Sequence, residues 1–370
     1  MVGIYRCEKY DENELEKVVD KLFFELGFDK MITQGMNVVL KPNLLAKRKP
    51  SEAATSHPLF IKAVAKKVIS LGANCTLCDS AGGNYTEGSL ENLYRYNELK
   101  PLERIGVKLN YDTSSEYVNI GGKILSSVDI ISPILNADLV INLPVVKTHV
   151  IMNLTCASKN MFGIVPGFKK AEIHSRFPNY EDFASALVDI SVATKNQISI
   201  ADGIIGHEGN GPSGGNPRKL GIILGSKNQF ELDYIACKII GMDVNDAYMV
   251  AESIKRNLIE PSNIKVIGEK VEDVKVTDFK FPDTTMKRAA KFAFSFVKII
   301  KPYPIFNKQK CKLCKICIES CPRKAIYIKK DRVRLIKKKC IRCFCCQELC
   351  PYKAISIKHI IKSLLFRKEK

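Results

Sequence analysis

No stretch of this 370-residue chain reaches 18 uninterrupted apolar residues, so nothing in it is expected to span a membrane as a helix. No secretory leader is expected, because Arg6, Glu8 and Lys9 interrupt any apolar run near the first residue, and a cytoplasmic location with reduced thiols is expected with it. Helix-turn-helix, zinc-finger and RNA-binding signatures are missing, which argues against a nucleic-acid partner despite a net charge of +19. Acidic residues are scarce where basic ones are dense. Residues 301–370 hold 21 Lys plus Arg against 4 Asp plus Glu, a balance of +17, while the first 300 residues hold the other 37 and 35.

What that basic region does contain is cysteine. Eight of the 14 cysteines form two copies of one pattern, Cys311-x2-Cys314-x2-Cys317-x3-Cys321-Pro322 and Cys340-x2-Cys343-x2-Cys346-x3-Cys350-Pro351, offset by 29 residues. Two-residue spacers let one tight loop wrap three thiolates around one face of a cubane iron–sulfur cluster, and the fourth ligand comes from the other motif. This assigns Cys311, Cys314, Cys317 and Cys350 to one [4Fe-4S] cluster and Cys340, Cys343, Cys346 and Cys321 to a second. Structural zinc prefers two closed pairs of ligands and fits the spacing less well. Disulfides require an oxidising compartment. Cys345, a ninth cysteine inside the second motif, reads as a small buried side chain beside the cluster, with an alternative ligand or a redox-reactive thiol as the other readings.

The segment 305–358 resembles a bacterial two-cluster ferredoxin, and Cys321-Pro-Arg-Lys-Ala-Ile-Tyr-Ile matches Cys350-Pro-Tyr-Lys-Ala-Ile-Ser-Ile as an internal repeat. A small α+β domain follows, with short strands at 325–328, 333–336 and 354–357. Each oxidised cluster with its thiolates carries about −2, so the module stays cationic when loaded. Its field is expected to raise the cluster potentials and to steer an acidic redox protein of the flavodoxin or ferredoxin type. Peripheral contact with an anionic membrane is a second use for that charge. Residues 287–301 and 358–370 can form short basic helices with apolar faces, Phe292, Phe296 and Ile299 or Ile300 in the first and Ile361, Leu364 and Leu365 in the second. Packing between domains accounts for the same faces.

Residues 1–283 read as alternating strands and helices, an α/β domain with a largely parallel sheet and flanking helices. A linker helix and proline joint over 284–304 connects it to the cluster module, and a basic tail covers 359–370. Expected strands lie at 3–6, 38–41, 74–79, 138–143, 197–201 and 220–224, with helices at 11–26, 58–71, 182–194 and 231–240 between them. In such sheets ligands collect beyond the carboxyl ends of the strands. Those exits read Lys41-Pro42-Asn43, Asp79-Ser80-Ala81-Gly82-Gly83, Lys147-Thr148-His149 and Asp202-Gly203, the last running into a glycine-dense loop with His207 and Glu208. Together with His57, His174 and Lys159 these side chains can line one cleft. Gly209-Asn210-Gly211-Pro212-Ser213-Gly214 matches a dinucleotide fingerprint by letters, but a strand follows it where a helix is required. Cys75 and Cys78, three apart on a strand, face opposite sides and do not form a redox pair.

These segments resemble the family called domain of unknown function 362, on Lys41-Pro42-Asn43, Asn142-Leu143-Pro144, Lys147-Thr148-His149, Lys159-Asn160-Met161-Phe162-Gly163, His174, Asp202-Gly203, Gly211-Pro212 and Asp233. Where relatives commonly have an acidic residue, this chain has Asn228. The expected function is electron transfer by two [4Fe-4S] clusters to or from the α/β domain or a partner, in a ferredoxin-linked oxidoreductase. An anionic substrate would meet Lys41 and Lys147, with His149 or His207 as proton donor. A pure electron carrier, or a scaffold for metal or cluster maturation, is the alternative.

Overall fold

A computed structural model describes residues 1–194, 196–282 and 302–358. The expected linker helix and basic tail therefore fall largely or wholly outside the described residues. Among those described, no helix is long and apolar enough to cross a membrane.

The first helix shows how the chain sets its elements locally. Asp11 accepts the Glu14 N–H at 3.1 Å as N-cap of helix Glu12–Leu26, and Gly27, at φ 63°, closes it with a left-handed turn. Leu15, Val19, Leu22, Phe23 and Leu26 recur at helical spacing on the buried face.

The domain is an α/β assembly around a mostly parallel sheet. Its strands are β1 (Val2–Arg6), β2 (Asn37–Pro42), β3 (Asn74–Leu77) and β4 (Lys108–Leu109). After a separate hairpin of β5 (Ser115–Asn119) and β6 (Ser127–Ile131) come β7 (Leu139–Leu143), β8 (Val145–His149), β9 (Asn153–Thr155), β10 (Gln197–Glu208), β11 (Asn216–Ser226) and β12 (Val266–Gly268). Among the described residues the order is β12-β1-β11-β10-β7-β2-β3-β4, with β8 beside β10 and β9 beside β8. β4, β3, β2, β7 and β10 run parallel, whereas β11 pairs antiparallel with both β10 and β1. Alternation distributes the core over two faces. Val38, Leu40, Leu139 and Ile141 pack with Leu22, Phe23 and Phe60, while Val39 and Val140 pack with Met161, Phe183 and Leu187. Cys75 and Cys78 divide between those two clusters, as residues three apart on an extended chain must.

The β10–β11 hairpin is longer than the sequence pattern suggests, because glycines stand where the chains crowd. A side chain at Gly206 would meet the Val146 carbonyl at 2.6 Å. Asp202-Gly203 consequently lies within β10, beside a bulge between Gly203 and Ile205, and not at a strand exit. Lys147-Thr148-His149 is likewise strand, with β8 turning back into β9.

The C-terminal module has two antiparallel pairs, β13 (Tyr303–Phe306) with β16 (Ile355–Lys358) and β14 (Ile326–Ile328) with β15 (Val333–Leu335). Its repeat is visible in the backbone: Leu313, Lys315 and Lys324 have positive φ, and so do Arg342, Phe344 and Lys353, each 29 positions later. These turns wrap the cysteine loops.

Candidate functional site

Two cysteine groups and one cavity of mixed lining make up the site. Cys311, Cys314, Cys317 and Cys350 surround one small apolar cavity of the C-terminal module, and Cys321, Cys340, Cys343 and Cys346 surround another, which Cys345 lines as well. The backbone N–H of Ala325 points at Cys321 Sγ (3.2 Å) and that of Ala354 at Cys350 Sγ (3.3 Å), the same contact in each repeat. A zinc ion draws its sulfur ligands to about 2.3 Å of one point. Among the described residues no three His, Cys, Asp or Glu side chains are gathered for a single ion. The cysteines instead line hollows with apolar walls, which fits a cluster.

The third cavity, of about 80 Å³, lies where the C-terminal module meets the α/β domain. Its α/β side comprises Asn43 after β2, Asp79 and Ser80 after β3, Lys147 on β8, and Lys159, Lys170 and His174 from the segment that follows β9. Its other side comprises Cys345, Glu348 and Leu349 of the second cysteine repeat.

That repeat is fastened to the α/β domain by several contacts. Arg48 Nη2 donates to the Cys350 carbonyl (3.0 Å), Ser213 Oγ to the Glu348 carbonyl (3.1 Å), and Lys353 pairs with Glu52 (2.7 Å). Glycine at position 82 leaves room for the Leu349 side chain, which any Cβ there would overlap. Phe344 and Ile357 join the apolar cluster of Phe162 and Phe183.

The floor of the cavity is a buried ion pair. Lys41 Nζ, wholly enclosed, donates to Asp79 Oδ1 (2.7 Å) and to the Pro42 carbonyl (3.0 Å), and Asp79 Oδ2 accepts the Leu44 N–H (2.8 Å). Gly163 explains itself here, since a Cβ would overlap both Asp79 Oδ1 and Lys41 Nζ. Lys41 thus serves Asp79 beneath the cavity wall. Lys147 is held by Asn43 Oδ1 (2.7 Å) and the Ala54 carbonyl (2.6 Å), and burial brings its pKa down to about 7 against an opposing pull from Glu348. Lys170 donates to the Ser80 carbonyl (2.7 Å) and hydroxyl and to the Val165 carbonyl; burial brings it to about 7 as well. Lys159 is different. It is 9% exposed, lies 5.9 Å over the Phe162 ring, and has no hydrogen-bond partner among the described residues.

The histidines separate. His149 is buried, its Nδ1 accepting the Ile151 and Met152 N–H groups at 3.1 and 3.3 Å. Burial, helped by Lys159, holds its pKa well below the usual value, so the ring is neutral and its proton sits on Nε2, 3.9 Å from Glu348 Oε2. His174 lines the cavity, stacked on Phe183 at 4.1 Å, and burial lowers it to about 3. His207 is enclosed outside the cavity lining, lowered by burial to about 3, with its Nδ1 unpaired among the described residues. His57 stacks on Tyr10 (3.6 Å), and Tyr10 donates to Asp202 (2.9 Å), a separate buried group away from the cavity. Asp233 accepts the Ala157 N–H (2.6 Å) and the Ser158 N–H (3.0 Å), holding the turn that leads to Lys159. Asn228 is an N-cap, accepting the Phe230 and Glu231 N–H groups. Lys170 and Glu348 were not anticipated: the first sits in what reads as a solvated Lys-Lys pair, the second inside the cysteine motif.

The sequence profile described as "Domain of unknown function (DUF362)" matches residues 38–238, and that described as "4Fe-4S dicluster domain" matches residues 303–351. A thylakoid-associated protein of Synechocystis sp. is 32% identical over 247 residues, 65% of this chain and 75% of that protein. Among solved structures, the lactate racemase apoprotein of Thermoanaerobacterium thermosaccharolyticum aligns at TM-score 0.42 and 13% identity, covering 67% of this chain and 57% of that one. A Thermotoga maritima protein aligns at TM-score 0.38 and 13% identity, covering 63% and 59%. This chain thus spans less than two thirds of either structure. The extent of the first profile match, more than half of the chain, places it in the domain of unknown function 362 family, here joined to a 4Fe-4S dicluster domain that supports an iron–sulfur electron-transfer role.

Proposed function

We propose that this chain is a ferredoxin-linked oxidoreductase of the cytoplasm, with two [4Fe-4S] clusters and a substrate cavity between its domains. Cys311, Cys314, Cys317 and Cys350 would hold one cluster, and Cys340, Cys343, Cys346 and Cys321 the other. When bound, these clusters supply storage and relay of single electrons. One observation carries the reading: the helix Cys345–Glu348 and Leu349, inside the second cysteine repeat, form a wall of the lysine-lined cavity. A pure carrier has no need of a lysine-lined cavity at that junction.

The chain's own residues have distinct tasks. Asn43 and the Ala54 carbonyl fix Lys147 against the cavity, and the Lys41–Asp79 pair braces the floor from behind. Neither His149 nor His207 lines the cavity; neutral His149 keeps a proton on Nε2 and reaches the cavity only through Glu348, whose Oε2 lies 3.9 Å away. Leu349, packed onto Gly82, excludes water from that side.

Lys308, Lys310 and Lys312 precede and flank the first repeat, where Cys314 is exposed; this is the face offered to an acidic redox partner. The test is anaerobic stopped-flow reduction by a flavodoxin-type donor over rising ionic strength. The rate should fall steeply with added salt; a rate indifferent to salt contradicts the partner assignment.

A further inference from the structure

The cavity beneath the second cysteine repeat has more cation than its own acids neutralise. Lys147, Lys159 and Lys170 line it against Asp79 and Glu348, and Asp79 is already taken by Lys41. Lys147 and Lys170 spend their N–H groups on Asn43, Ala54, Ser80 and Val165. Lys159 spends none: the residue is 9% exposed, lines the cavity, lies over the Phe162 ring, and has no hydrogen-bond partner among the described residues, feeling Glu348 only through its charge. A buried ammonium with three unused donors is costly unless an acceptor arrives.

We infer that the cavity binds a small monocarboxylate whose carboxylate pairs with Lys159, a specification that rests on the oxidoreductase reading above. Three features select that class. The space of about 80 Å³ holds on the order of six water-sized groups, enough for an acid of three to five carbons. A single unpaired ammonium matches one negative charge, and a phosphate dianion would face the carboxylates of Asp79 and Glu348 as well. The remaining wall is mixed: Phe162, Phe168, Leu45 and Leu349 give apolar contact for a short carbon chain, while Ser80 and Asn160 offer polar atoms at its margin. Burial lowers the pKa of Lys159 against an opposing pull from Glu348, and an arriving carboxylate would favour its charged form.

The test uses the full chain purified anaerobically with its iron. Isothermal titration with acetate, propionate and butyrate, and separately with inorganic phosphate, is run on the unchanged chain, on Lys159→Met and on Lys169→Met, whose lysine lies outside the cavity lining and pairs with Asp129. Carboxylate binding that weakens tenfold or more in Lys159→Met and stays unchanged in Lys169→Met supports the inference. Phosphate binding more tightly than every carboxylate overturns the assigned class, and absence of carboxylate binding to the unchanged chain overturns the site. Should Lys159→Met not fold, reductive methylation of the unchanged chain replaces it: propionate must protect Lys159 from modification, read by mass spectrometry, and equal labelling with and without it overturns the inference. Iron content and reducibility, measured on the same samples, separate the two readings. Loaded, reducible protein that ignores carboxylates refutes only this inference, and carboxylate binding by protein that holds no iron refutes only the oxidoreductase reading.

Discussion

Replacing Asp79 by Asn is expected to be among the most damaging conservative changes in the α/β domain. The side chain keeps its shape, and its oxygen can still accept the Leu44 N–H, 2.8 Å away in the native protein. What disappears is the negative charge 2.7 Å from a lysine with no exposed surface. Breaking one side of a buried pair costs about 3–5 kcal/mol, because the remaining charge has neither partner nor water. Lys41 retains only the Pro42 carbonyl at 3.0 Å, too little to replace either. The assay is anaerobic urea denaturation followed by far-ultraviolet circular dichroism, on Asp79→Asn, Lys41→Met and the double variant. The double variant should be more stable than the sum of the single losses predicts, by about 2–3 kcal/mol. A loss below about 1 kcal/mol for Asp79→Asn, or strictly additive losses, would refute the claim that this pair braces the cavity floor.

Three further outcomes follow from the same geometry. Gly163→Ala should destabilise the domain by an amount comparable to Asp79→Asn, since its methyl group displaces the same pair; a wild-type denaturation midpoint contradicts this. Acidification should weaken the α/β domain. His57, His174 and His207 are held by burial at about 4, 3 and 3, so below pH 6.5 the unfolded chain takes up protons that the native one refuses. Each costs about 2 kcal/mol by pH 5, while Asp202 and Asp233, raised by burial to about 6, return about 1 kcal/mol each by protonating in the native state. These five groups give a net loss of about 4 kcal/mol between pH 7 and pH 5, to which His149, also held low by burial, adds in the same direction; a higher denaturation midpoint at pH 5 would contradict it. Arg48→Gln removes a buried cation that donates to the Cys350 carbonyl, and should lower the potential of the first repeat's cluster by on the order of tens of millivolts in a redox titration. An unchanged potential would show that Arg48 only docks the module.

Much of this was legible where the determinants are local. The cysteine spacing lies within two short loops, Asp11 and Gly27 mark helix ends by their own conformations, and buried parallel strands announce themselves as apolar runs. Pairings across long sequence separations were not legible. Lys41 reads as a free cation after a strand until Asp79, 38 residues later, is seen beside it. Asp202 reads as a strand exit because the glycines of β10 resemble a loop, yet Gly206 keeps the strand going by admitting the Val146 carbonyl. Lys170 is held by Ser80, 90 residues earlier, a pairing that nothing near it in the sequence announces. Glu348 is spaced as part of a cluster motif, and only docking of the module delivers it to the lysines.

The chain is expected to hold its clusters on two crossed cysteine quartets, with Cys345, although it lines the second hollow, a ligand of neither. Iron and sulfide analysis of anaerobically purified chain, with electron paramagnetic resonance of the reduced samples, tests it most directly in Cys346→Ala and Cys345→Ala. The unchanged chain and Cys345→Ala should each carry about eight iron and eight sulfide, and Cys346→Ala about four with one reducible cluster remaining. Full iron in Cys346→Ala, or loss of half the iron in Cys345→Ala, would contradict it.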